Sequence, residues 1–508
     1  MRLGVLTSLL GRLLNAPAGD QLPRVIAGIR TEIEMLRAQR VVLKSEIDKR
    51  FPSYANLVDP KPVTLHETQA ALKPGEALIS IYVGQDKTYV WAIPAQGSPA
   101  FASIAIGDTA LTESVTQLRK ALDIGNRAIE LFPKFDTVIA HKLYSELLKP
   151  VEAGWKQATS LIIVPHRALA QVPFSLLVTA PAEVAADALA RFDGYRGVPW
   201  LLRNASVNQL PSVNALTTLR SLPAATVGRD EFIGFGDPYF SKTQQVLAEE
   251  TQKIQVAALG STFRNLQIGA VALPIAGDSG GEGGSVLRNV PQIANSATLA
   301  QLARLPETAD EIRGIAQALK ADMINDVFLG VRANENNVKS AYLSNRKVIA
   351  FATHGLVPGD LNGLDQPALA LTAPEVAGID GDGLLTMEEI LALKLNADWV
   401  VLSACNTGSG DGAGGEAVSG LGRAFFYAGA RSLLVSNWPV ETDSARILTT
   451  EVFKRVAADP KLTRADALRQ TMLWLMDNAG QMGASGKMEY SYAHPMFWAP
   501  FVLIGDGG

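Results

Sequence analysis

The strongest constraint on the fold is an alternation that begins near residue 231. Short apolar runs at residues 231–235, 347–352, 399–402 and 432–435 read as strands, and helical patterns lie between and after them at 334–343, 416–427, 443–457 and 463–478. A connection long enough to hold a helix returns the chain to the same edge of a sheet, so such strands pair in parallel. A mostly parallel α/β sheet flanked by helices is therefore expected for residues 226–508. One of its helices opens with Thr308-Ala309-Asp310-Glu311, the pattern of a capping box.

The stretch before it reads differently. Three short runs at 77–83, 88–93 and 100–106 are separated by turn residues and predict a hairpin-rich sheet edge. Helical periodicity follows at 112–124 and 137–148, then another strand at 160–164 that closes on Pro165-His166. At the N-terminus Ile26, Ile29, Ile33, Leu36, Leu43 and Ile47 recur in threes and fours, with Arg40 breaking the series. This is an amphipathic, coiled-coil-like helix ending before Phe51-Pro52, because the residue before proline disfavours the helical region. It serves either as a cover for its own domain or as a docking helix for a partner. Arg12 interrupts the apolar run 1–14, which argues against an export signal, and no other stretch nears the ~18 apolar residues of a membrane span.

Composition removes several function classes. Lys plus Arg number 46 against 50 Asp plus Glu, a net charge of −4, which gives no electrostatic reason to bind nucleic acid. A single cysteine excludes an internal disulfide and a thiolate zinc site, and five scattered histidines argue against a structural metal. No cofactor is implied, and a reducing cytoplasm suits the chain best.

That one cysteine, Cys405, stands just beyond the strand 399–402 and is followed by glycine and small polar residues as far as Gly415. The strand 347–352 runs into Thr353-His354-Gly355. Two parallel neighbours would thus deliver a thiol and an imidazole to one sheet edge, where ligands of such sheets gather. A nucleophilic cysteine needs a base or cation to raise its thiolate fraction, and a histidine about 50 residues upstream has the order and spacing of caspase-type proteases.

Seven ordered segments carry a wider resemblance. Ala352-Thr353-His354-Gly355, Leu402-Ser403-Ala404-Cys405-Asn406-Thr407-Gly408 and Gly415-Glu416-Ala417-Val418-Ser419-Gly420-Leu421 resemble the signature of the CHAT domain, a caspase-like family related to separase. Pro74-Gly75-Glu76, Val164-Pro165-His166, Gly236-Asp237-Pro238 and His494-Pro495-Met496-Phe497-Trp498 also resemble family segments, in family order. The resemblance spans roughly residues 70 to 505. It implies an N-terminal helical segment (1–70), a pseudo-protease half (71–225) and a caspase-like catalytic half (226–508). The first half holds no cysteine, so a structural role is expected for His166.

The resemblance further implies a cysteine endopeptidase with a Cys405–His354 dyad, or else a catalytically idle scaffold of the same family. The backbone N–H groups of Gly355 and Cys405 are the expected oxyanion donors. Separase resembles this chain from Asn437 to Asp443, which makes Asp443 a candidate for binding a basic side chain of a protein substrate; Asp411 and Glu416 are further candidates, though Asp443 and Thr442 would equally cap the following helix. Members often act in bacterial regulated proteolysis or defence, so control by a helical-repeat or sensor partner through the N-terminal helix is expected.

Three further motifs stand in the chain. Gly277-Asp278-Ser279-Gly280-Gly281 spells a serine-protease nucleophile segment without the all-β context that chemistry requires. Gly410-x-Gly412-x-x-Gly415 matches a dinucleotide-binding turn, leaving nucleotide binding as a rival class. Asp380-Gly381-Asp382-Gly383 with Glu389 echoes a calcium loop, yet Gly378 stands where the first carboxylate belongs, and a hairpin turn is the simpler reading.

Overall fold

The computed structural model describes residues 23–50, 62–122, 132–184, 191–223, 226–260, 296–358, 361, 364, 366–403, 420–438, 441–483 and 486–508. Met1–Thr64 and Leu65–Gly508 form two compact units. In the first, Pro23–Arg50 is one helix, ending directly before Phe51-Pro52 as the proline rule requires. No helix among the described residues is long and apolar enough to cross a membrane.

The described strands of the second unit are β1 (Glu76–Val83), β2 (Thr88–Pro94), β3 (Ala100–Ile104), β4 (Ser160–Val164), β5 (Ser206–Gln209), β6 (Asp230–Gly236), β7 (Val327–Leu329), β8 (Arg346–Ala352), β9 (Gly355–Leu356), β10 (Ala368–Ala370), β11 (Leu384–Thr386), β12 (Trp399–Ser403), β13 (Ser432–Ser436), β14 (Gly480–Met482), β15 (Met488–Ser491) and β16 (Phe501–Gly505). One large sheet takes eleven of them in the order β3-β2-β1-β4-β5-β16-β13-β12-β8-β6-β7. The hairpins β1–β2 and β2–β3 are antiparallel, as the turn residues between them predict. The pairs β1–β4, β4–β5, β12–β13, β8–β12, β6–β8 and β6–β7 are all parallel.

β16 sets the relation between the two sets of strands. It runs antiparallel to β13 and parallel to β5. The strands β1, β4 and β5 therefore end at the opposite edge of the sheet from β6, β8, β12 and β13. His166 and His354 each follow a strand end, but at opposite edges. The His166 Nδ1 accepts the Val83 N–H at 3.0 Å and its ring stacks on Tyr82 at 4.9 Å, while burial and Arg167 hold its imidazole below its usual range.

β12, β13 and β16 are buried along their whole length, which is why their sequences are continuous apolar runs. Helices cover the faces, and fully buried Trp200, Trp438 and Trp498 anchor the core. His494 belongs to that core: burial drives its imidazole down to about 3, so it stays neutral, and its Nδ1 caps the short helix Pro495–Trp498 by accepting the Met496 N–H. Asp380-Gly381-Asp382-Gly383 lies in the connection between β10 and β11, where Asp382 accepts the Leu384 N–H at 2.9 Å; Glu389 closes a capping box with Thr386.

The Thr308–Glu311 capping box does not form. The helix runs Glu307–Ala318 with Pro306 at its N-cap. The Thr308 hydroxyl donates to the Leu305 carbonyl and accepts the Asp237 N–H, while Glu311 points into the sheet. Tertiary partners thus outcompete a local motif worth about 1 kcal/mol.

Candidate active site

The site begins where β8 and β12 end side by side. Their register places Val400 opposite Ile349 and Ser403 opposite Ala352, and the Thr353 N–H donates to the Ser403 carbonyl at 3.3 Å. His354 therefore leaves the sheet at the edge where β12 ends, two residues short of Cys405 in the sequence. Cys405, Asp411 and Glu416 lie outside the described residues, as do the two glycine-rich motifs at 277–281 and 410–415.

His354 is held by three contacts. Its Nε2 is 2.7 Å from the Ala303 carbonyl, which only accepts, so this nitrogen carries the hydrogen and Nδ1 keeps the lone pair in the neutral ring. Phe240 packs against the ring at 5.5 Å. The His354 carbonyl accepts the Ala370 N–H at 3.0 Å, continuing the β9–β10 ladder. Gly355 and Leu369 are then the non-hydrogen-bonded pair, and the Gly355 N–H turns away from β10.

Asp443 follows β13, which ends at the same edge as β12. The helix it enters, Thr442–Ala458, is capped by Glu441, whose carboxylate accepts the Asp443 and Ser444 N–H groups at 3.3 and 2.8 Å. The expected cap residues Thr442 and Asp443 thus leave capping to their neighbour, because the extended backbone falls at Glu441. The Asp443 side chain is 46% exposed and pairs with Arg446 at 3.3 Å.

Two groups escaped the sequence reading. The first is Glu311, which accepts the Ser403 hydroxyl at 3.0 Å beneath the end of β12. Its side chain is buried, and burial pushes its carboxyl up to about 7 against the opposing hydrogen bond of Ser403. The second is the Ala303 carbonyl, a backbone group that no residue type announces. Among the described residues no set of three or more His, Cys, Asp or Glu side chains is placed to hold a metal.

A CHAT domain profile matches residues 137–506. The chain belongs to the CHAT domain family. Two curated relatives, both named tetratricopeptide repeat protein 28, match over 123 residues: the mouse protein at 29% identity and the human protein at 30%. The match spans 24% of this CHAT chain but only 4% of either relative. Among solved structures, a Saccharomyces cerevisiae separase–securin complex aligns over 99% of this chain and 37% of that one, at 10% identity and a TM-score of 0.42. The Arg-specific cysteine proteinase gingipain R aligns over 39% of this chain and 41% of that one, at 12% identity and a TM-score of 0.26.

Proposed function

We propose that this CHAT protein is a cysteine endopeptidase, with Cys405 as nucleophile and His354 as its base, which cleaves a protein substrate after arginine or lysine under the control of a partner. One observation carries the reading: His354 stands at the C-terminal end of β8, in register with the end of β12, and its hydrogen is already committed to the Ala303 carbonyl. Cys405 is two positions beyond Ser403, a reach of at most ~7 Å. The unprotonated Nδ1 is the lone pair such a base needs.

In this reading His354 takes the thiol proton and the Cys405 sulfur attacks the peptide carbonyl carbon. The tetrahedral oxyanion is met by the N–H groups of Gly355 and Cys405. His354 returns the proton to the departing amine, leaving an acyl-enzyme that water hydrolyses. Asp443, with Asp411 and Glu416, supplies negative charge for the basic side chain. The half 71–225 serves as a pseudo-protease partner within the chain. The likeness to tetratricopeptide repeat proteins favours a helical-repeat controlling partner.

The test is cleavage of a mixed peptide library, with and without lysate of the host, read by mass spectrometry for this protein, Cys405→Ala and Asp443→Asn. Cuts after arginine or lysine that vanish in Cys405→Ala are expected, and Asp443→Asn should lower them roughly 100-fold, the loss of a charge-assisted contact made in a pocket. No cysteine-dependent cut under any condition would leave the family's idle-scaffold alternative. Cuts after other residues would remove the acidic-pocket reading alone.

A further inference from the structure

The Ala303 carbonyl that holds His354 is itself clamped from both sides by the segment that follows β6. On one side, Arg304 makes a two-pronged ion pair with Asp237, Nε to Oδ1 at 2.7 Å and Nη2 to Oδ2 at 2.6 Å. On the other, the Gln244 side-chain amide donates to the Leu302 carbonyl at 2.8 Å, and Gln244 is oriented by accepting the Phe240 N–H at 2.8 Å. Leu299, three residues earlier, is fully buried in a cluster with Phe240 and Leu356. Both neighbours of Ala303 are thus fixed by residues 237–244, and Phe240 of the same segment packs on the His354 ring.

The anchor is built to resist movement. Asp237 has φ of +50°, a left-handed conformation that is costly for a residue with a side chain. Its N–H donates to the Thr308 hydroxyl at 2.8 Å, and its side chain is only 7% exposed. The Arg304 guanidinium also lies 4.9 Å over the Tyr239 ring. A bidentate guanidinium–carboxylate pair fixes direction as well as distance, which a lysine in place of Arg304 would not reproduce.

We infer that Asp237, Gln244 and Arg304 are positioning residues for His354: they aim the Ala303 carbonyl at Nε2 and so keep the ring in the tautomer with its lone pair on Nδ1. The inference deepens the proposed dyad and rests on it for its catalytic meaning, but its structural content is read on His354 directly.

The experiment is nitrogen-15 histidine NMR of the full chain at pH 8, where the His354 signals among the five histidines are identified by their loss in His354→Ala. The wild type should show one tautomer, Nε2 protonated. Arg304→Met and, at the half-buried Gln244, Gln244→Met should each shift it to a mixture, with Arg304→Lys only partly corrected. In parallel, the rate of Cys405 alkylation at pH 7 should fall on the order of ten-fold in the two methionine variants. An unchanged His354 spectrum in a folded Gln244→Met and Arg304→Met pair overturns the inference. Faster alkylation or proteolysis in Arg304→Met also overturns it, since the arginine would then be blocking the site. A changed spectrum with unchanged alkylation supports the clamp and removes the dyad instead.

Discussion

Glu311→Gln should stabilise this protein in alkali and leave it unchanged in acid. Glu311 is 5% exposed, its Oε2 accepts the Ser403 hydroxyl, and its Oε1 has no hydrogen-bond partner among the described residues, the Thr449 hydroxyl being committed to the Ala445 carbonyl. Burial raises the carboxyl from 4.5 to about 7 in the folded state. A raised acid lends stability that is whole below 4.5 and drains away as pH climbs through 7. At 1.36 kcal/mol per pH unit, the deficit above pH 8 is roughly 3 kcal/mol. For a unit of this size that is a Tm shift of about 4 °C. Glutamine keeps the shape and the acceptor without the charge. Differential scanning calorimetry from pH 5 to 9 should find the two proteins together at pH 5 and the variant several degrees higher at pH 8.5. A difference that does not change with pH, or a variant less stable at pH 8.5, would refute the reasoning.

His166→Gln should cost about 1 kcal/mol by urea unfolding, since it disturbs the acceptor of the Val83 N–H, and should leave Cys405 alkylation unaltered because His166 lies at the far sheet edge. Arg220→Met should cost roughly 3–5 kcal/mol in the same assay. Arg220 joins Glu76 at 2.6 Å and Asp506 at 3.0 Å with all three side chains nearly buried, so its loss strands the Glu76 carboxylate, while Asp506 keeps Arg464 at 3.1 Å; a cost below about 1 kcal/mol would mean that water replaces it.

Most of the sheet is legible in the residues. The runs predicted at 77–83, 160–164, 347–352 and 432–435 match β1, β4, β8 and β13 to within one residue, because each is apolar in all but one position and bounded by turn or loop residues. β5 is hidden, for Ser206-Val207-Asn208-Gln209 has no such signal and is a strand only because β4 and β16 flank it. The site divides the same way. His354 is announced by its strand and its glycine, whereas the clamp joins Asp237 to Arg304 across 67 residues and acts through a carbonyl. The place of Glu311 is hidden for a related reason. Its spacing from Thr308 fits a cap, and only the three-dimensional position of Ser403 claims it for the sheet.

The slot filled by β16 has a consequence for how the protein is made. β5 pairs on one side with β4 and on the other with β16, whose Ile504 meets Gln209. Ribosomes add about 5–20 residues per second, so the roughly 300 residues between these partners take ~15–60 s to emerge. Throughout that interval β5 presents a bare row of amides and carbonyls to the surroundings, the kind of edge that invites pairing with another nascent chain. A holdase chaperone that binds extended segments would find its ligand there, and would be released by the arrival of Phe501–Gly505.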